Sequence, residues 1–81
     1  MIVRVQLFAQ LRDAAGLSEL QIELADGATA ADLLAHLYNR TPALRTWDSS
    51  ILLGAGVEFV GRGYILRPNE EIAIMPPVQG G

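Results

Sequence analysis

"DGATAADLLAHLYNR", residues 26–40, is the stretch of this chain with the clearest helical period. Ala30, Leu33, Leu34, Leu37 and Tyr38 fall at i, i+3, i+4, i+7 and i+8, which lines one side of a helix with apolar groups. Asp26-Gly27 reads as the turn before it. Thr29 is placed to cap the first turn, with Asp32 three residues on as its capping-box partner, in place of the commoner Glu. Pro42 ends the helix, and 41–47 can add a short helical turn. A stripe this wide must be covered, so the helix is expected to lie across a sheet.

The flanks supply that sheet. Upstream, "IVRVQLF" (2–8) alternates, with Val3, Val5 and Leu7 on one face and Ile2, Arg4, Gln6 and Phe8 on the other. "AQLRDAAG" (9–16) predicts a short helix stopped by Gly16. "SELQIEL" (18–24) alternates again, with Leu20, Ile22 and Leu24 inward. The two strands are expected to form an antiparallel hairpin with a partly helical connection. Downstream, "ILLGAG" (51–56) and "VEFV" (57–60) predict two extended pieces broken by Gly54 and Gly56. "GRG" and "RPNEE" read as turns, "YIL" (64–66) as a short extended piece, and "EIAIM" (71–75) as a last strand with Ile72 and Ile74 inward.

Two strands, one crossing helix and then two strands, in 81 residues, describe a single α+β domain. The arrangement expected is a mixed sheet wrapped around one main helix, the β-grasp of ubiquitin-like proteins. Residues 1–75 form the domain and residues 76–81, "PPVQGG", form an extended C-terminal tail.

Composition narrows the chemistry. Six cations against nine carboxylates leave a net charge of −3, with no basic stripe, so nucleic acid is not an expected partner. All the cations are arginine; without lysine there is no Schiff-base chemistry and no isopeptide bond to this chain's own side chains. Without cysteine there is no disulfide, thiolate metal site or cysteine nucleophile. No apolar run approaches the ~18 residues of a membrane span and no secretory segment opens the chain, so a soluble cytoplasmic protein is expected.

The body offers no catalytic constellation. His36, alone of its kind, falls on the polar side of the helix, one turn from Asp32, and one histidine makes no metal site. Glu70 and Glu71 are expected to be solvated. "GAGVEFVG" contains a G-x-G, but no helix follows it to hold a phosphate. Trp47 is expected to pack at one end of the core.

The tail is different. Pro76 and Pro77 fix φ and cannot donate to a sheet ladder, so the last strand must end near Met75. Six residues then project, up to ~20 Å when extended, and Gly80-Gly81 make a tip thin enough for a narrow tunnel. The functional group at that tip is the Gly81 carboxylate, an anion at neutral pH that needs activation before it can react, for instance by adenylation from ATP. Sulfur displacing AMP there would leave a thiocarboxylate on a stiff handle.

"LFAQLRDAAG" (7–16) and "LRPNEEIAIMPPVQGG" (66–81) resemble the opening and closing segments of the molybdopterin synthase small subunits, ubiquitin-like sulfur carriers, and the resemblance runs over essentially the whole chain. It implies that an adenylating enzyme of the ubiquitin-activating type uses ATP to form an acyl-adenylate at Gly81, that sulfur transfer then gives the thiocarboxylate, and that the tail threads into the large synthase subunit. There it gives sulfur to cyclic pyranopterin monophosphate. It implies no permanently bound cofactor, and it places the catalytic residues on the large subunit, with Gly80 and Gly81 as this chain's reacting end. A sulfur carrier for thiamine or tRNA thiolation, and a protein modifier or interaction module, remain alternatives.

Strand parity adds a docking surface. Phe8, Phe59 and Met75 are expected on the face turned away from the core, near the root of the tail, with Pro76, Pro77, Val78 and Gln79 completing the partner contacts and Arg12, Arg62 and Arg67 as candidates for a polar rim.

Overall fold

The computed structural model describes residues 1–77. Its elements are β1 (Ile2–Leu7), α1 (Ala9–Ala15), β2 (Glu19–Glu23), α2 (Ala30–Arg40), a 3₁₀ segment (Pro42–Ser50), β3 (Leu52–Ala55), β4 (Glu58–Val60) and β5 (Glu71–Met75). They form one five-stranded sheet in the order β2-β1-β5-β3-β4. β1 pairs antiparallel with β2 and parallel with β5, while β3 pairs antiparallel with both β5 and β4. A parallel pair needs a long crossover, and the 63 residues between Leu7 and Glu71 supply it with α2 on one face. This is the mixed β-grasp sheet expected from the sequence.

Inner-face residues follow the alternation. Val3, Val5 and Leu7 of β1, Leu20 and Ile22 of β2, Leu53 of β3 and Ile72 and Ile74 of β5 are all buried. The α2 stripe is buried against them over its whole length, from Ala30 to Tyr38. Each fully buried leucine in this contact contributes roughly 1.5–3 kcal/mol over an exposed one. Leu24 is only partly buried, because it lies one residue beyond the end of β2.

The first turn of α2 is satisfied by two devices. Thr29 Oγ1 accepts from the Asp32 backbone N–H at 3.3 Å, and Asp32 Oδ2 accepts from the Thr29 N–H at 2.9 Å. Ala30 and Ala31 instead donate their N–H groups to the carbonyls of Tyr64 and Arg62, both at 2.9 Å. The loop after β4 therefore serves as the remainder of the helix cap. At α1 the stop is Gly16, whose φ of 77° a side chain would resist.

Four details differ from expectation. Three strands, not two, follow α2, and Gly54 does not break the first of them. Gly54 lies inside β3, where a Cβ would stand 3.3 Å from Met75 Cε, so its lack of a side chain permits a close approach; the turn falls at Gly56-Val57. The "YIL" piece is a single bridge, Ile65 to Thr29. The short helical turn is a 3₁₀ segment reaching Ser50. Glu70 is not simply solvated: it accepts from the Tyr64 hydroxyl and from the Arg67 N–H, which pins the turn carrying Pro68 and Asn69, while Glu71 lies 3.5 Å from Arg4. The Glu70 contact raises the Tyr64 hydroxyl pKa.

The 3₁₀ segment is tied down by polar contacts. The Tyr38 hydroxyl donates to Asp48 Oδ1 at 2.6 Å, and Arg62 grips the same oxygen at 2.8 Å and the Asp48 carbonyl with its other nitrogen. Arg45 stacks 5.6 Å from the Tyr38 ring centroid. Burial, then the bond to Asp48, push the Tyr38 pKa from 10.0 to about 12. The bonds from Tyr38 and Arg62 hold the Asp48 carboxyl below its ordinary 3.8. Among the described residues no charged side chain is buried, and no buried side-chain polar atom lacks a partner.

Two measurements check these assignments. Thr29→Ala is expected to lower unfolding stability in denaturant titration by about 0.5–2 kcal/mol, because Thr29 and Asp32 bond each other's backbone. Tyr38→Phe is expected to cost about 1 kcal/mol near neutral pH. Tyr38, with its raised value, stabilises fully below pH 10.0 and loses that contribution as pH rises toward about 12; Asp48, with its lowered value, contributes above 3.8 and loses its part as pH falls through its folded-state value. The gap between wild type and Tyr38→Phe should therefore stay flat between these limits and close at both ends.

Candidate docking face at the root of the tail

β5 presents two unlike faces because its side chains alternate. Ile72 and Ile74 enter the core, while Ala73 and Met75 lie on the outer face, away from α2. Register carries that outer face across the sheet. Gln6, Ala73, Gly54 and Phe59 form one row over four strands. Leu52 pairs with Met75 in the next row, and Phe8, which donates its N–H to the Ile74 carbonyl at 3.3 Å, follows Leu7 beside the end of β5.

The row with Phe59 contains a groove. The Met75 methyl lies over Gly54, and Gly54, Gly56, Val57, Glu58, Phe59, Ala73 and Met75 line a shallow cleft of about 200 Å³. The apolar groups of this face are open, both in the cleft and beside it: Phe59 is 72% exposed, and the flanking Phe8 and Leu52 are 40% and 37% exposed. A cluster of this kind on one side of a small domain is what an interface core looks like before it is covered.

The structure thus puts Phe8, Phe59 and Met75 on one face, as parity requires. Phe59 and Met75 share the cleft, and Phe8 borders the other side of Met75. The placement of Phe59 is set by its strand partner rather than by its sequence neighbour Val57. Val57 is not on the same strand face but in the turn, fully exposed; pairing with Gly54 sets the orientation of Phe59. Leu52 was missed. Its signal was the pair Leu52-Leu53, of which only one member can face inward on a strand. Of the arginines proposed for a rim, Arg62 is committed to Asp48 and the 3₁₀ segment. Arg12 is exposed beside Asp13 at 3.8 Å, and Arg67 is exposed.

β5 ends at Met75, with Pro76 half-buried and Pro77 exposed. Val78, Gln79, Gly80 and Gly81 lie outside the described residues. No group of three or more potential metal ligands occurs among the described residues. His36 lies on the solvent side of α2, in a broad depression with Asp26, Asp32 and Asn39. No helix among the described residues is long and apolar enough to cross a membrane.

Comparison with known proteins bears on this face and tail together. A model of the ThiS family matches residues 5–81. A molybdopterin synthase sulfur carrier subunit of Chlamydomonas reinhardtii is 36% identical over the full length of both chains. The solution structure of the small archaeal modifier protein 1 of Methanosarcina acetivorans is 32% identical, covers 99% of this chain and 96% of its own, and superposes with a TM-score of 0.85. A putative molybdopterin converting factor, subunit 1, of Pyrococcus furiosus is 26% identical, with coverages of 96% and 99% and a TM-score of 0.87. The match of the family model to all but the first four residues, with whole-length likeness in sequence and fold, places this chain in the ThiS family of ubiquitin-like β-grasp proteins, alongside the molybdopterin synthase sulfur carrier subunits.

Proposed function

We propose that this chain is a sulfur carrier of molybdopterin synthesis, and that its outer sheet face and tail are the parts that work. The supporting observation is the whole-length likeness to a molybdopterin synthase sulfur carrier subunit, in a chain whose sequence ends in Gly80-Gly81. The body supplies grip: Phe8, Leu52, Phe59 and Met75 would seat on a larger subunit, with Pro76, Pro77, Val78 and Gln79 leading the tip into its active site.

The chemistry belongs to the tip. The Gly81 carboxylate attacks the α-phosphate of ATP on an adenylating enzyme, and pyrophosphate leaves. Sulfur at the oxidation level of sulfide, supplied by a donor, then attacks the acyl carbon, and AMP leaves with the electron pair of its bond, so that the thiocarboxylate remains on Gly81. In the large subunit that sulfur displaces an oxygen substituent of cyclic pyranopterin monophosphate, and water then attacks the acyl carbon and breaks its bond to sulfur, so that Gly81 returns as a carboxylate. ATP is consumed by the activating enzyme, and this chain carries no cofactor of its own.

A second reading is favoured by one observation, the likeness to a small archaeal modifier protein. The same activated Gly81 would then be passed to an amine of another protein.

Intact-mass measurement of the protein from its own host tests the first reading: a species with one terminal oxygen replaced by sulfur is expected, and its absence even with adenylating enzyme, ATP and a sulfur donor supplied would sink it. Amide conjugates through Gly81 without any thiocarboxylate would favour the modifier instead. Removing Gly80 and Gly81 should abolish the sulfur-bearing species and leave the thermal midpoint unchanged. Phe59→Asp should weaken association with the larger subunit by about tenfold or more in titration calorimetry while leaving unfolding stability within ~0.5 kcal/mol, since the side chain is already exposed.

A further inference from the structure

The encoded chain carries sulfur at two positions, the thioethers of Met1 and Met75. The fold treats them oppositely. The Met1 side chain is 2% exposed and packs against the core, with its ammonium donating to the Leu24 carbonyl at 2.7 Å. Met75 is half-buried on the outer face of the sheet, at the last position of β5 and beside the start of the tail.

The surroundings of Met75 give its sulfur a particular consequence. Leu52 is its partner on β3, and its terminal methyl lies over Gly54, where a Cβ would stand 3.3 Å away. Val57, Phe59 and Ala73 line the rest of the shallow cleft. The sulfur is one bond from that methyl, on a face that a small oxidant in solvent can reach. A sulfoxide oxygen is a strong hydrogen-bond acceptor and needs a donor. The one polar side chain lining the cleft is Glu58, whose carboxylate is itself an acceptor. Water can serve the sulfoxide while the face is open, but a partner that covers the face removes the water and leaves the oxygen without a donor.

We propose that the Met75 thioether is an oxidation site for peroxide, and that its sulfoxide closes the outer sheet face to protein partners. The sulfur attacks one peroxide oxygen and the O–O bond breaks. The proton on the transferred oxygen passes to the departing hydroxide, which leaves as water; sulfur loses two electrons and peroxide gains them. Two thiols of a sulfoxide reductase reverse the step, giving a disulfide and water. A carrier that travels between partners has this face uncovered in transit, which is when the oxidant reaches it. The effect on partners rests on the reading of this face as the docking surface; the preference for Met75 over Met1 does not.

The test uses the full chain in its carboxylate form, so that no sulfur at the tip consumes the oxidant. The chain is treated with hydrogen peroxide, the excess is removed with catalase, and sulfoxide is located by peptide mass mapping. Oxidation is expected at Met75 about tenfold or more faster than at Met1. Association with the larger subunit is then measured by titration calorimetry. The treated chain is expected to bind about tenfold or more weakly than the untreated one, with an unchanged thermal midpoint, and to regain its affinity after incubation with methionine sulfoxide reductases and dithiothreitol. Met75→Leu, whatever its own affinity, is expected to bind equally before and after peroxide. Equal oxidation of the two methionines would overturn the proposal. So would equal affinity of treated and untreated wild type, a peroxide effect that persists in Met75→Leu, or a loss of binding that follows a lowered midpoint. An untreated chain that fails to bind the larger subunit would overturn the docking reading and the closing of the face together, a result distinct from binding that ignores oxidation.

Discussion

The parallel pairing of β1 with β5 is the constraint on which the rest of the molecule depends. It brings the last strand of the chain to the middle of the sheet, flanked on both sides, with Ile72 and Ile74 sealed beneath α2. A strand held in this way cannot fray from its end. The segment that follows therefore starts from a rigid base at Met75, where two prolines prevent further ladder pairing. Closing that parallel contact requires the intervening chain to cross the sheet, which is why the α2 stripe is both the main core element and the condition for placing the tail.

The two faces of the one sheet differ sharply in burial. The inner face is aliphatic and covered, and the loops that close over it use their polar groups for local ends: Asp48 takes Tyr38 and Arg62, and Glu70 takes Tyr64. The outer face keeps its aromatic and aliphatic groups uncovered. Gly54 connects the two roles, since it preserves the strand while letting Met75 lie flat and open a cleft toward Phe59. Substitutions on the outer face therefore leave the core little changed.

The chemistry of the molecule is restrained to match. A body with no lysine, no cysteine and one exposed histidine has little with which to react, and a tail with no side chain at its tip has little with which to be recognised except by shape. On the proposed reading, acyl-transfer reactivity is confined to one carbonyl carbon, and selectivity is left to proteins that seat on the outer sheet face. That division suits a carrier, whose cargo must survive the passage between two sites.

Much of this was legible in the residues alone, because α2 is amphipathic over its full length and β1, β2 and β5 alternate without a break. Periodicity, the Thr29–Asp32 cap, the Gly16 stop and the inward parity of Ile72 and Ile74 are local properties, and local sterics and hydration determine them. The Gly80-Gly81 ending is equally a matter of sequence. Other features are decided by partners far along the chain. Gly54 looked like a break until Met75 was found against it, Phe59 takes its direction from Gly54, and Arg62 is drawn from the expected rim by Asp48. The union of Phe8, Leu52, Phe59 and Met75 on one face exists only because β5 inserts between β1 and β3, an order set by long-range burial that no short window of sequence encodes.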